Sequence, residues 1–197
     1  SHLLMFDRGT IKLATIAGIP VRLHWSFGFI FIWVGYNAWI EKLPFSSFLF
    51  LQSYVLIIFF CVLLHEFGHS LTAKRFGNKT RDILLTPIGG IARLESISEK
   101  PAQELLIAIA GPAVNVGIAG VIALILYFTG QLSWDTISSA SNLTAKNILP
   151  LVMLSNIILA VFNFIPAFPM DGGRVLRALL SFKWSRYKAT LIAARLG

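Results

Sequence analysis

Apolar positions along this chain fall into long blocks rather than alternating with polar ones. "LHWSFGFIFIWVGYNAWI" fills residues 23–40, and "SFLFLQSYVLIIFFCVLLHEFGHSLTAKRF" fills 47–76. "ELLIAIAGPAVNVGIAGVIALILYF" covers 104–128, and "ILPLVMLSNIILAVFNFIPAF" covers 148–168. A helix that crosses a bilayer needs about 20 mostly apolar residues, so the pattern predicts four spans. Trp25, Tyr36, Trp39 and Tyr127 fall near block ends, as an interfacial aromatic belt requires. Between the second and third blocks, "RDILL" and "IARLE" flank "TPIGG". Two short β-capable runs around a Pro/Gly turn predict a hairpin. Its apolar character leaves two placements open, a loop dipping toward the membrane or a hairpin on the surface. In the third block, Gly111-Pro112 predicts a kink or break. Ala113 and Gly117, four apart, are placed for close helix packing. Asn115 reads first as a hydrogen bonder between helices and only second as a site residue.

Composition supports the membrane class. Only 13% of residues are charged and mean hydropathy is +0.74, against about 25% charged in soluble domains. The net charge of +8 would fit a nucleic-acid binder, but the apolar excess excludes that reading and turns the basic residues into topology markers. Fifteen lysines and arginines fall before the first block, in 74–101 and after the fourth; only Lys42 and Lys146 fall in the other two loops. The expected protein is therefore an all-α polytopic membrane protein with at least four transmembrane helices. Its N-terminus and its hairpin or re-entrant loop lie on the cytoplasmic side. Cys61 alone cannot form an internal disulfide and reads as a packed small hydrophobe. Residues 1–5, "SHLLM", read as a non-native leader before Met5 and carry His2 out of the fold. Residues 6–197 read as a single membrane unit, truncated at its C-terminal end.

The chemistry sits where polarity is most costly. "HEFGH", residues 65–69, interrupts a greasy helix with three ionisable side chains, and such groups inside a membrane are functional suspects. Positions i and i+4 share a helix face, so His65 and His69 can reach one metal ion. Two imidazoles suit zinc and call for a third protein ligand. Glu66 is placed to take a proton from an attacking water and hand it to a leaving amine. The competing reading is two core histidines and a chance glutamate, which lipid makes expensive. Depth locates the third ligand. His65 lies 17 residues past Phe48, about 26 Å at the helical rise. Asp171 lies 22 residues past Leu149, about 33 Å if helical throughout, with Pro166 and Pro169 breaking the helix on the way. Asp171 thus arrives at the level of the histidines, although an Asp there could instead cap the helix that follows. His24, at the start of the first block, reads as an interfacial residue before a supporting one.

"HEFGH" (65–69), "PIGGIARLE" (87–95), "AGPAVN" (110–115) and "NFIPAFPMDGG" (163–173) together resemble the site-2 protease family of intramembrane zinc metalloproteases. "GIPVRLHWSF" (18–27) is similar to its prokaryotic branch. The resemblance implies one zinc ion per chain held by His65, His69 and Asp171, with Glu66 as general base. It implies a role for Asn163 in substrate binding or transition-state stabilisation. The implied activity is hydrolysis of peptide bonds in transmembrane segments of other membrane proteins, releasing regulators or clearing remnant peptides. The implied location is the prokaryotic plasma membrane. The 86–95 hairpin resembles the family's re-entrant β-loop, whose edge could hold an unwound substrate by β-addition. The rival readings are a membrane metal-binding or transport protein and a catalytically inactive scaffold. No internal repeat supports transport, and all four key residues are present against the scaffold. Substrate identity and oligomeric state are not specified by any feature of the sequence.

Overall fold

The computed structural model describes residues 9–95, 100–138, 147–167 and 169–196. The expected leader at 1–5 and Lys146 lie outside them. The chain is mostly helical, with one sheet. Strands β1 (Thr10–Ile16) and β2 (Ile19–His24) come first, followed by a 3-10 turn at Trp25–Phe27. Helices α1 (Gly28–Ile40) and α2 (Phe45–Arg75) follow, then β3 (Thr80–Thr86) and β4 (Gly89–Leu94). The remainder is helical: α3 (Pro101–Phe128), α4 (Trp134–Ser138), α5 (Ile148–Asn163), α6 (Asp171–Ser181) and α7 (Arg186–Leu196).

Among the described residues, α2 and α3 are the helices long and apolar enough to cross a membrane. Their most apolar windows are 17% and 39% buried, whereas the core helix of a soluble protein hides most of its apolar surface. Chains such as Leu56, Phe60, Val121 and Leu124 point outward from them, which is the exposure a lipid solvent permits and water does not. This is a membrane protein. Of the four expected spans, these two meet that length and composition. The first block spends Leu23 and His24 on β2 and its next three residues on the 3-10 turn, leaving α1 13 residues. The fourth ends at Asn163, leaving α5 16 residues.

The expected hairpin is β3–β4, paired antiparallel from Thr86↔Gly89 to Thr80↔Leu94. It is half of a larger sheet. β1 and β2 form a second hairpin, and β2 runs parallel to β3 through Val21↔Ile83 to Leu23↔Leu85, giving the order β1-β2-β3-β4. The β1–β2 turn is Ala17-Gly18, with φ of 53° and 80°, the doubly positive geometry of a tight hairpin turn. Ile19, Val21, Ile83 and Leu85 pack with Phe67 of α2 in one core. A second core joins Cys61 of α2 to Ala119 and Ile122 of α3 and Val152 and Met153 of α5, as the apolar reading of Cys61 requires.

Of the kink or break expected in the third block the break is absent, and the expected packing pair does not meet α2. α3 runs unbroken through Pro112. Ala113 and Gly117 face outward, with nothing near the Cβ position of Gly117. The close approach of α2 and α3 is made elsewhere: a Cβ on Gly68 would sit 2.7 Å from Ala110 O.

Candidate metal centre

HEFGH works because successive helical residues turn by about 100°, so its five side chains meet different neighbours. Phe67 enters the sheet core. Gly68 lets the α3 backbone press against α2. Glu66 turns toward β4, where its Oε2 accepts a hydrogen bond from Ala92 N at 2.9 Å. His65 and His69 turn toward the α3–α6 side and are 5% and 3% exposed.

Asp171 meets them there. It is the first residue of α6; the cap position is Met170, and no side chain caps the helix. The capping alternative therefore gives way to the site. Asp171 Oδ2 lies 3.1 Å from His65 Nε2 and 3.1 Å from His69 Nε2, which are 3.1 Å from each other. Arg174 Nη1 stands 3.8 Å from the other carboxylate oxygen.

The remaining ring nitrogens fix what those three atoms are. His69 Nδ1 is 2.7 Å from Ile107 O, a carbonyl that can only accept, so Nδ1 carries the hydrogen and donates it. His65 Nδ1 is 3.3 Å from Asn115 Oδ1 and donates likewise. When neutral, rings held this way would present lone pairs at both Nε2 atoms. Three acceptors then converge with no hydrogen among them, an arrangement that calls for a cation. Their 3.1 Å spacing is near the ~3.3 Å edge of a tetrahedron with ligands ~2.0 Å from zinc. His65, His69 and Asp171 can thus hold a metal ion, and the outer hydrogen bonds to Ile107 and Asn115 are the kind that orient metal-binding histidines. α3 lies flush against the centre: a Cβ on Gly111 would be 2.2 Å from His69 Nε2 and 2.7 Å from His65 Nε2.

This chain belongs to peptidase family M50. The family model matches residues 53–196, which contain every residue of the centre. The zinc metalloprotease MJ0392 of Methanocaldococcus jannaschii is 39% identical over 189 residues, 95% of this chain and 50% of that protein. The solved site-2 protease from the same organism superposes with a TM-score of 0.66 at 36% identity, covering 95% of this chain and 79% of that one. Stage IV sporulation protein FB of Bacillus subtilis is 26% identical over 128 residues, 64% of this chain and 40% of that protein. The chain spans about half the length of the curated relatives it matches. Zinc is the metal that this M50 membership and the His65–His69–Asp171 donor set imply.

A cleft of about 260 Å3 opens beside the centre, bounded by His65, Glu66, Gly89, Gly90, Asn115 and Asn163. Asn163 therefore shares a cavity with the HEFGH carboxylate, and its Nδ2 donates to Leu159 O at 2.9 Å. Asn115, read first as a packing residue, belongs to the site. A polar residue four positions after Gly111, on the same face of α3, was the available signal. His24 does not join the centre; it caps the 3-10 turn, accepting from Ser26 N at 3.3 Å.

Proposed function

We propose that this chain is the membrane-embedded core of a zinc metalloprotease that hydrolyses peptide bonds within transmembrane segments of other membrane proteins. The observation that carries the reading is the convergence of His65 Nε2, His69 Nε2 and Asp171 Oδ2 at 3.1 Å, with Glu66 in the adjoining cleft. Bound by these three residues, zinc would polarise a substrate carbonyl and make water nucleophilic near neutral pH. Glu66 accepts the proton of the attacking water and returns it to the departing amine. Asn163 steadies the carbonyl oxygen as it gains charge; an amide NH2 carries two hydrogens, so the bond to Leu159 leaves it one.

β4 supplies the other requirement. A transmembrane helix hides its carbonyls in its own hydrogen bonds, and hydrolysis needs one exposed. β4 is an edge strand, and Ala92 N points out of the sheet toward Glu66. An unwound substrate laid along that edge would be held by main-chain bonds beside the carboxylate. We infer further that α1 and α5 are embedded beside α2 and α3. The fifteen-to-two distribution of lysine and arginine supports placing the sheet and the centre on the cytoplasmic side of a prokaryotic plasma membrane. The transport and scaffold readings account for neither a carboxylate beside the donor set nor an edge strand laid against it.

The test is reconstitution in liposomes with a transmembrane peptide. Wild type is expected to cleave it, and Glu66→Gln to retain zinc while losing at least about 100-fold in rate, within the range for removing a general base. Cleavage surviving in Glu66→Gln would remove the assignment of the base.

A further inference from the structure

Asp171 reaches the centre on a short helix whose first turn is pressed against the segment before it, where a Cβ on Gly172 would lie 2.1 Å from Ile165 O. Between Asn163 and Asp171 the described residues form no helix, and α6 has only 11 residues. A second anchor comes from α3. Glu104, in the first turn of α3, is 2% exposed. Arg177 of α6 donates to its Oε1 through Nε at 2.7 Å and through Nη2. Arg186 Nη2 of α7 lies 3.7 Å from Oε2. Arg177 follows Asp171 by six residues, about 9 Å along the helix. A planar guanidinium fork on a fixed carboxylate restrains both the rotation of α6 and its slide along α3. The same helix supplies Ile107 O to His69 and Asn115 to His65. α3 thus supplies an outer partner to each histidine and, through Glu104, an anchor for the helix that carries Asp171.

We propose that Glu104 and Arg177 are a positioning pair for Asp171: their buried ion pair holds α6 so that the carboxylate meets the two imidazoles, and the strength of zinc binding depends on it. This rests on the zinc reading above. The test uses this chain in mild detergent, with zinc affinity read by competition against a chromogenic chelator and thermal stability measured in parallel. Asp82→Asn, which breaks another buried acid–arginine cluster away from the centre, is the control. Glu104→Gln and Arg177→Met are expected to weaken zinc binding by about 10- to 100-fold, the usual effect of removing an outer partner. Arg177→Lys, which keeps the charge but loses the fork, should fall between them and wild type. Asp82→Asn should bind zinc within about threefold of wild type although its melting temperature falls. The clamp is overturned if Glu104→Gln binds within threefold of wild type, or if Asp82→Asn loses as much affinity. Should Glu104→Gln fail to fold, Arg177→Lys decides by the same criteria. A wild-type chain that holds no zinc overturns the zinc reading and the clamp with it; a wild type that binds zinc beside an unchanged Glu104→Gln overturns the clamp alone.

Discussion

Asp82, in β3, and Glu104, in the first turn of α3, are each 2% exposed, and each lies between two arginines. Each has one shielded partner, Arg93 at 12% and Arg177 at 13% side-chain exposure, and one more open partner, Arg22 at 35% and Arg186 at 37%. The local chemistry is nearly the same; what each cluster fastens is not. Asp82 ties β2 and β4 to β3, with Arg93 Nε donating to it at 2.6 Å, and so fixes the edge strand whose Ala92 meets Glu66. Glu104 ties α6 and α7 to α3, and so fixes Asp171. A buried charge pair is weak evidence for stability, since the cost of desolvation offsets the attraction. In both clusters the charges are explained better by the register they impose. One sets where substrate backbone would lie, the other where the metal would be held.

That division can be broken deliberately. The largest effect should come from Gly111→Ala, which leaves both clusters intact. Alanine favours a helix over glycine by about 1 kcal/mol, so a loss here can only be steric. With a Cβ 2.2 Å from His69 Nε2, zinc occupancy and cleavage should both fall below detection while the helical content is kept. Next comes Asp82→Asn. Breaking a buried pair by removing one partner costs about 3–5 kcal/mol; half-exposed Arg22 places the expected loss at the low end. Its melting temperature should drop and its KM for a transmembrane peptide should rise, with zinc retained. Loss of zinc in Asp82→Asn would erase the division. The smallest effect is expected from Gly90→Ala, whose Cβ would lie 2.7 Å from Glu66 Cγ and 3.1 Å from Val62 Cγ1. Overpacking of this kind costs about 1–3 kcal/mol. It should lower kcat roughly tenfold with unchanged zinc affinity; unchanged kcat would mean that the strand does not steer Glu66.

What the sequence made legible follows the cost of each feature in lipid. Three ionisable groups in one apolar helix demand a partner, and counting residues along two helices found Asp171. The carboxylate pairs inside the protein were less visible. Glu104 stands at the start of an apolar block, where an acid reads as an interfacial residue or a helix N-terminal charge. The sheet was half hidden. "IPVRLH" does alternate, apolar at Ile19, Val21 and Leu23, but the strand abuts the first apolar block, and its β3 partner lies some 60 residues away. Pairing at that separation leaves no local trace. The turn Ala17-Gly18 lacks the Asn-Gly or Asp-Gly signature that flags such hairpins. No break occurs at Pro112 for a different reason: a proline inside a helix costs about 3 kcal/mol in water, yet neighbouring helices let membrane helices tolerate it. The small-residue rule was right in kind and wrong in place. Gly68 and Gly111, not Ala113 and Gly117, let α2 and α3 meet.

Zinc K-edge absorption spectroscopy on the purified chain tests the centre most directly. The expected spectrum has one zinc per chain, only nitrogen and oxygen donors at about 2.0–2.1 Å, and the scattering pattern of two imidazoles, with one imidazole lost in His69→Ala. A sulfur donor, or an imidazole count that His69→Ala leaves unchanged, would contradict the His65–His69–Asp171 site.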